Sequence, residues 1–166
     1  MTAFVDIETL GSNPYQRRIV MIHLNHAKRI QPWKACETSE PEIIGSFIEA
    51  PDFLRNDEVA EFNILNFDFL SVTGRPPAHH HMDCSTHREL HNRYWFDLLQ
   101  FLGGQNKSVN CWISKCGIKR DCSCTGRDVL LLFERDEYGK VETHGVEDLI
   151  LCELLHDKLL GEEVRH

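Results

Sequence analysis

A chain of 166 residues suits one compact domain, here expected to span 1–166, with little room for a second core. Its 42% hydrophobic and 27% charged residues exclude a disordered chain and allow a real core. A formal net charge of -8 excludes a protein that holds nucleic acid by charge alone, yet permits a nucleic-acid enzyme whose acids surround bound cations.

No apolar run approaches the roughly 18 residues that span a membrane, and the N-terminus lacks the basic, apolar and cleavage segments of a secretory signal. The expectation is an intracellular, cytoplasmic protein with no membrane partner.

In chain order, Thr2 to Ile7 reads as a short buried strand, followed by a turn around Gly11 to Pro14 and a second apolar strand from Ile19 to Leu24. A third, weakly alternating strand falls within Arg29 to Thr38. Pro41 opens a helix after Glu40, with Ile43, Ile44, Phe47 and Ile48 at helical spacing and an end near Pro51. Val59 to Phe62 suits another strand. A helix from near Asn66 is broken by Gly74, Pro76 and Pro77.

His79 to His91 is polar and histidine-rich, with no clear local structure. Helical spacing returns over Tyr94 to Leu102 and Ser108 to Cys116, then over Arg127 to Asp136, with a turn at Tyr138-Gly139-Lys140. In the C-terminal helix Asp148, Leu151, Cys152, Leu155 and Leu159 share one side, so the acid lies on the core-facing stripe and needs a partner. Strands first and helices interspersed later indicate a mixed α/β layer architecture, whose topology the pattern leaves open.

Asp6 and Glu8 stand two apart in Phe4-Val5-Asp6-Ile7-Glu8-Thr9, which on a strand puts both carboxylates on one face, able to share or bracket cations. The same spacing is common at solvent-facing strand ends. Asp68 falls in the first turn of the helix beginning near Asn66, where it can equally interact with exposed backbone donors. For Asp148 the plain reading is a surface or salt-bridged acid.

Taken together these segments resemble the DEDD 3′-5′ exonucleases of the ribonuclease H-like superfamily, especially the proofreading domains of family B DNA polymerases and their stand-alone relatives. FVDIET is similar to the first motif, with Asp6 and Glu8 at its metal-ligand positions; FNILNFDFL to the second, through Asn63, Phe67 and Asp68; HGVEDL to the third, through Asp148. WFDLLQFL and KSVNCWISKCGIK resemble the helical region between the last two motifs. His144 precedes Asp148 by four residues, the place where the tyrosine-type branch carries Tyr, whereas the histidine-type branch has His five before Asp.

The resemblance implies an α/β, ribonuclease H-like fold with a central mixed β-sheet flanked by α-helices. It implies two divalent cations, Mg²⁺ or Mn²⁺, held by Asp6, Glu8, Asp68 and Asp148, with Asp6 as a bridge. Such a cation pair suits in-line hydrolysis of a phosphodiester, and carboxylate oxygens are hard ligands for it. The catalytic set is then Asp6, Glu8, Asp68, Asp148 and His144, the last as general base or orienter of water. Thr9, Leu10, Asn63 and Phe67 would lie beside the substrate, a single strand of DNA or RNA with a free 3′ end, DNA slightly favoured. A ribonuclease H-like endonuclease, or a catalytically weak nucleic-acid-binding or protein-interaction module, is the competing expectation.

Cys111, Cys116, Cys122 and Cys124 number enough for Zn²⁺ but miss the usual pair spacing, so plain thiols are the expectation. Cys84, His79, His80, His81, His87 and His91 read as solvent-facing rather than as a metal site. Lys107, Lys115, Lys119, Arg120 and Arg127 either guide a phosphate backbone or form a solvated face. Trp95 and Trp112 fit core packing better than base stacking.

Overall fold

The computed structural model describes residues 2–11, 17–50, 58–62, 94–103, 108–121 and 123–163. The helix expected from Asn66, the histidine-rich stretch, and Asn63, Phe67 and Asp68 lie outside the described residues.

Five strands form one mixed sheet in the order β3-β2-β1-β4-β5: β1 (Thr2–Leu10), β2 (Arg18–His26), β3 (Arg29–Lys34), β4 (Glu58–Glu61) and β5 (Tyr94–Asp97). The first three pair antiparallel, whereas β4 runs parallel to β1 and β5 parallel to β4. Between β2 and β3 the chain turns at Ala27 and Lys28, both at positive φ (51° and 62°), the backbone that matches strand twist in a two-residue hairpin. Pro32 is tolerated in β3 because that strand is the sheet's edge.

The alternation along β1 divides the molecule into layers. Ala3, Val5 and Ile7 face α1 (Glu40–Ile48) and pack with its Ile43, Ile44, Phe47 and Ile48 and with Ile22 and Leu24 of β2. The α1 N-terminus is fixed by Glu42, whose carboxylate accepts from the Ser39 amide at 3.0 Å and hydroxyl at 2.6 Å.

On the opposite face Phe4 joins Ala60, Leu98, Leu149 and Cys152, so this layer is closed by α2 (Leu98–Phe101) and the long α5 (Tyr138–Glu163). The expected stripe of α5 is buried at Leu151, Cys152 and Leu155. Two further helices, α3 (Val109–Lys115) and α4 (Val129–Glu134), precede α5, and Val129 and Leu132 pack with Val20, Met21 and Val141.

Two expectations are corrected. Tyr94 to Leu102 is not one helix: its first half is β5, and only Leu98–Phe101 is helical. The aromatic run pairs in parallel with β4, and Asp97 then caps the helix by accepting from the Leu99 and Gln100 amides at 2.9 and 3.1 Å. Tyr138-Gly139-Lys140 is not a turn but the first turn of α5. The chain reverses earlier, at Asp136, whose left-handed φ of 58° ends α4. No helix among the described residues is long and apolar enough to cross a membrane.

Candidate active site

Asp6 and Glu8 are on the β1 face that carries Phe4, turned away from the α1 core and toward α5. Their strand neighbours in β2 are His23, opposite Asp6, and Met21, opposite Glu8. The ladder shifts between Glu8 and Thr9, so Thr9 pairs with Ile19 and Leu10 with Arg18. Thr9 and Leu10 are half-buried at this strand end, and Leu10 packs on the Val20–Val129 cluster, a structural role whatever else it does.

Helix α5 crosses over this pair at Gly145. A β-carbon there would stand 2.2 Å from His23 Cε1, 2.4 Å from His23 Nδ1 and 2.8 Å from Asp6 Oδ2, so only glycine permits the approach. The crossing delivers the neighbouring His144 and, one turn later, Asp148. The His144 ring is buried, with Nε2 3.6 Å from Glu8 Oε1 and 3.8 Å from Asp148 Oδ2. The structure thus brings Asp6, Glu8, His144 and Asp148 together from two ends of the chain. Asp68 and Asn63 lie outside the described residues, as does Phe67.

Arg120, between α3 and α4, inserts a cation into the group. Its Nη2 contacts His144 Nδ1 at 2.8 Å and pairs with Asp148 Oδ1, its Nε lies 3.1 Å from Glu147 Oε2, and its Nη1 donates to Asn110 Oδ1 at 2.9 Å. A guanidinium has no acceptor, so His144 Nδ1 must accept and the proton of the neutral ring resides on Nε2. That N–H faces Glu8 and Asp148.

Charge at the site is poorly balanced. Burial first, and the nearby Asp6 carboxylate second, push the Asp148 carboxyl up to about 7, despite the opposing pull of Arg120. Burial likewise lowers the His144 pKa, against the attraction of Asp6 and with the help of Arg120. A divalent cation among these oxygens would remove the repulsion between Asp6 and Asp148, and the hard carboxylate donors suit Mg²⁺ or Mn²⁺. Among the described residues no three His, Cys, Asp or Glu side chains are already placed to enclose a metal.

The remaining candidates separate clearly. Cys111 and Cys116 are free thiols, Cys124 packs beside the Val20–Val129 cluster, and Cys122 lies outside the described residues. Trp95 packs against the α1 core, and Trp112 is half-buried with the Lys115 ammonium 4.4 Å from its ring centroid. Of the basic residues considered as phosphate guides, Arg120 belongs instead to the acidic group. The motif pattern does not mark His23, Gly145 or Glu147 as site residues. The first was detectable as the polar residue in the apolar run Ile19 to Leu24; the others depend on where α5 crosses the sheet.

The class defined at this point is a fold: an α/β architecture of the ribonuclease H-like kind, shared with exonuclease I and a family B polymerase at low sequence identity. The family B DNA polymerase from the hyperthermophilic archaeon Pyrobaculum calidifontis superposes with a TM-score of 0.73 at 16% identity, over 96% of this chain and 24% of that one. Exonuclease I complexed with SSB-Ct gives 0.58 at 12% identity, over 93% of this chain and 39% of the other, and exonuclease I with the inhibitor BCBP gives 0.57 at 12%, over 93% and 40%. The chain therefore spans well under half the length of these structures. No family model matches it, and no curated protein sequence does.

Proposed function

We propose that this chain is a metal-dependent 3′-5′ exonuclease that removes nucleotides from the 3′ end of single-stranded nucleic acid, DNA slightly favoured over RNA. The observation that carries the reading is the meeting of Asp6 and Glu8 from β1 with His144 and Asp148 from α5, on a fold shared with exonucleases. Asp68, by its resemblance to the second motif, is the proposed fourth acid. Thr9, Leu10, Asn63 and Phe67 are proposed to border the strand.

When bound, two Mg²⁺ or Mn²⁺ ions would supply an activated water and stabilise charge on the attacked and leaving oxygens. The protein's own part is geometric. Asp6 and Glu8 are held on a central strand, and Asp148 on a helix anchored by Leu149, Cys152 and Leu155, so the carboxylates cannot drift apart. With its proton on Nε2, His144 acts as a donor that orients a water or a carboxylate, rather than as a base at that atom.

Cleavage of a labelled single strand in Mg²⁺ or Mn²⁺, and again with chelator, tests the reading. Activity should vanish with chelator and fall by at least about 100-fold in D6N and D148N, which remove charge but little volume. Wild-type cleavage by both variants would place the active centre elsewhere. One observation favours a second reading: Arg120 already occupies Asp148, as in a binding module that no longer needs the cation. Strand binding without cleavage in either metal would support that module.

A further inference from the structure

We propose that His23 is a positioning residue for Asp6: from β2 its Nδ1–H donates to Asp6 Oδ2 and holds that carboxylate in the orientation a divalent cation requires. The assignment rests on the proposed cation-binding role of Asp6.

His23 is an unexpected occupant of its strand. It stands among Ile19, Val20, Met21, Ile22 and Leu24 and is 0% exposed. An imidazole in such surroundings, replaceable by an aliphatic side chain if only volume mattered, requires a polar partner. The β1–β2 register supplies it by setting His23 directly across from Asp6. Nδ1 is 3.5 Å from Asp6 Oδ2, ion-pair range rather than a formed hydrogen bond, and among the described residues neither atom makes a hydrogen bond. Two buried atoms of complementary chemistry, both otherwise unsatisfied, lack only a slightly closer approach at that separation.

The helix above is adapted to the ring. Gly145 lies so close that a single β-carbon would overlap His23 Cε1 and crowd Asp6 Oδ2. The ring is thus clamped between β1, β2 and α5. The contact needs no change of charge on His23, because the neutral ring protonated at Nδ1 already donates. An ionised carboxylate offers about four lone-pair sites, so one bond to the ring leaves others for cations. Partners of this kind, behind the ligands themselves, tune metal affinity.

The full-length chain provides the test, with Mn²⁺ alone as the probe, titrated and followed by the electron paramagnetic resonance of the free ion. H23L keeps an apolar side chain of similar bulk but loses the donor, and should weaken Mn²⁺ binding by about 10- to 100-fold. H23N, whose amide nitrogen falls near the place of Nδ1, should recover most of that loss. D6N serves as the control. Weakened binding in D6N with wild-type binding in H23L would overturn the role of His23 and leave the cation site standing; wild-type binding in D6N would overturn both.

A second readout avoids the variants' folding altogether. Long-range ¹H–¹⁵N NMR of the metal-free wild-type protein should show His23 protonated at Nδ1. A ring protonated only at Nε2 would contradict the proposal.

Discussion

The guanidinium of Arg120 lies where a divalent cation would be drawn, against Asp148 and Glu147 and on the Nδ1 side of His144. It balances part of the acidic charge and at the same time competes for it. R120Q should therefore bind Mn²⁺ severalfold more tightly while its metal-free form melts lower, since Asp148 and Glu147 lose the cation paired with them. Equal Mn²⁺ affinity in the two proteins, by calorimetry, would show that the guanidinium does not compete. The pH dependence follows from the same charges. Asp148, raised from 3.8 to about 7, is protonated in the fold where the unfolded chain is ionised; its contribution to stability is present below about pH 4 and lost as pH rises through 7. His144, with its pKa lowered from 6.5, acts in the opposite sense: its contribution is present above 6.5 and lost as pH falls through the depressed folded value. With chelator present, D148N should lose less melting temperature than wild type between about pH 5 and about pH 8. Parallel losses would mean that Asp148 is not held near neutrality. None of this was readable from Arg120 in sequence, where it is one basic residue among several; its role comes from the chain path that carries it to α5.

At the scale of elements, the site is a crossing of α5 over β1 and β2, and Gly145 sets the depth of that crossing. G145A should cost about 1–3 kcal/mol by overpacking and reduce cleavage beyond what the stability loss explains. Adding H23A to G145A should restore part of the stability, because the ring is the nearest obstacle, though Asp6 Oδ2 at 2.8 Å keeps the rescue incomplete. Simple additivity in chemical denaturation would contradict the clash. The strand period of β1 made the shared face of Asp6 and Glu8 legible, and the helical period of α5 made the inward face of Asp148 legible. Tyr94 to Leu102 misled because a short aromatic run has no period of its own; the parallel pairing with β4, invisible locally, decided for strand. At Tyr138 a Tyr-Gly-Lys turn signal lost to the reversal completed two residues earlier at Asp136.

For the whole molecule, strands first and helices interspersed later were enough to anticipate a mixed α/β layer architecture, and the family resemblance of the three motifs implied a central sheet flanked by helices. The parallel placement of β4 and β5 beside β1 was not legible, since it depends on crossovers rather than on hairpin turns. The sheet order matters for function: β1 is central, paired with β4 as far as Phe4, and at Asp6 and Glu8 the carboxylates it carries are braced by β2. With a net charge of -8, attraction of a polyanion must come from local cations at the site and not from the molecule as a whole. The measurement that tests the central claim most directly is the product pattern from a 5′-labelled single strand incubated with the protein and Mn²⁺. Removal from the 3′ end predicts a ladder of labelled fragments shortening one nucleotide at a time, absent in chelator and in D6N. Immediate release of labelled mononucleotide, or a few discrete internal cuts, would contradict it.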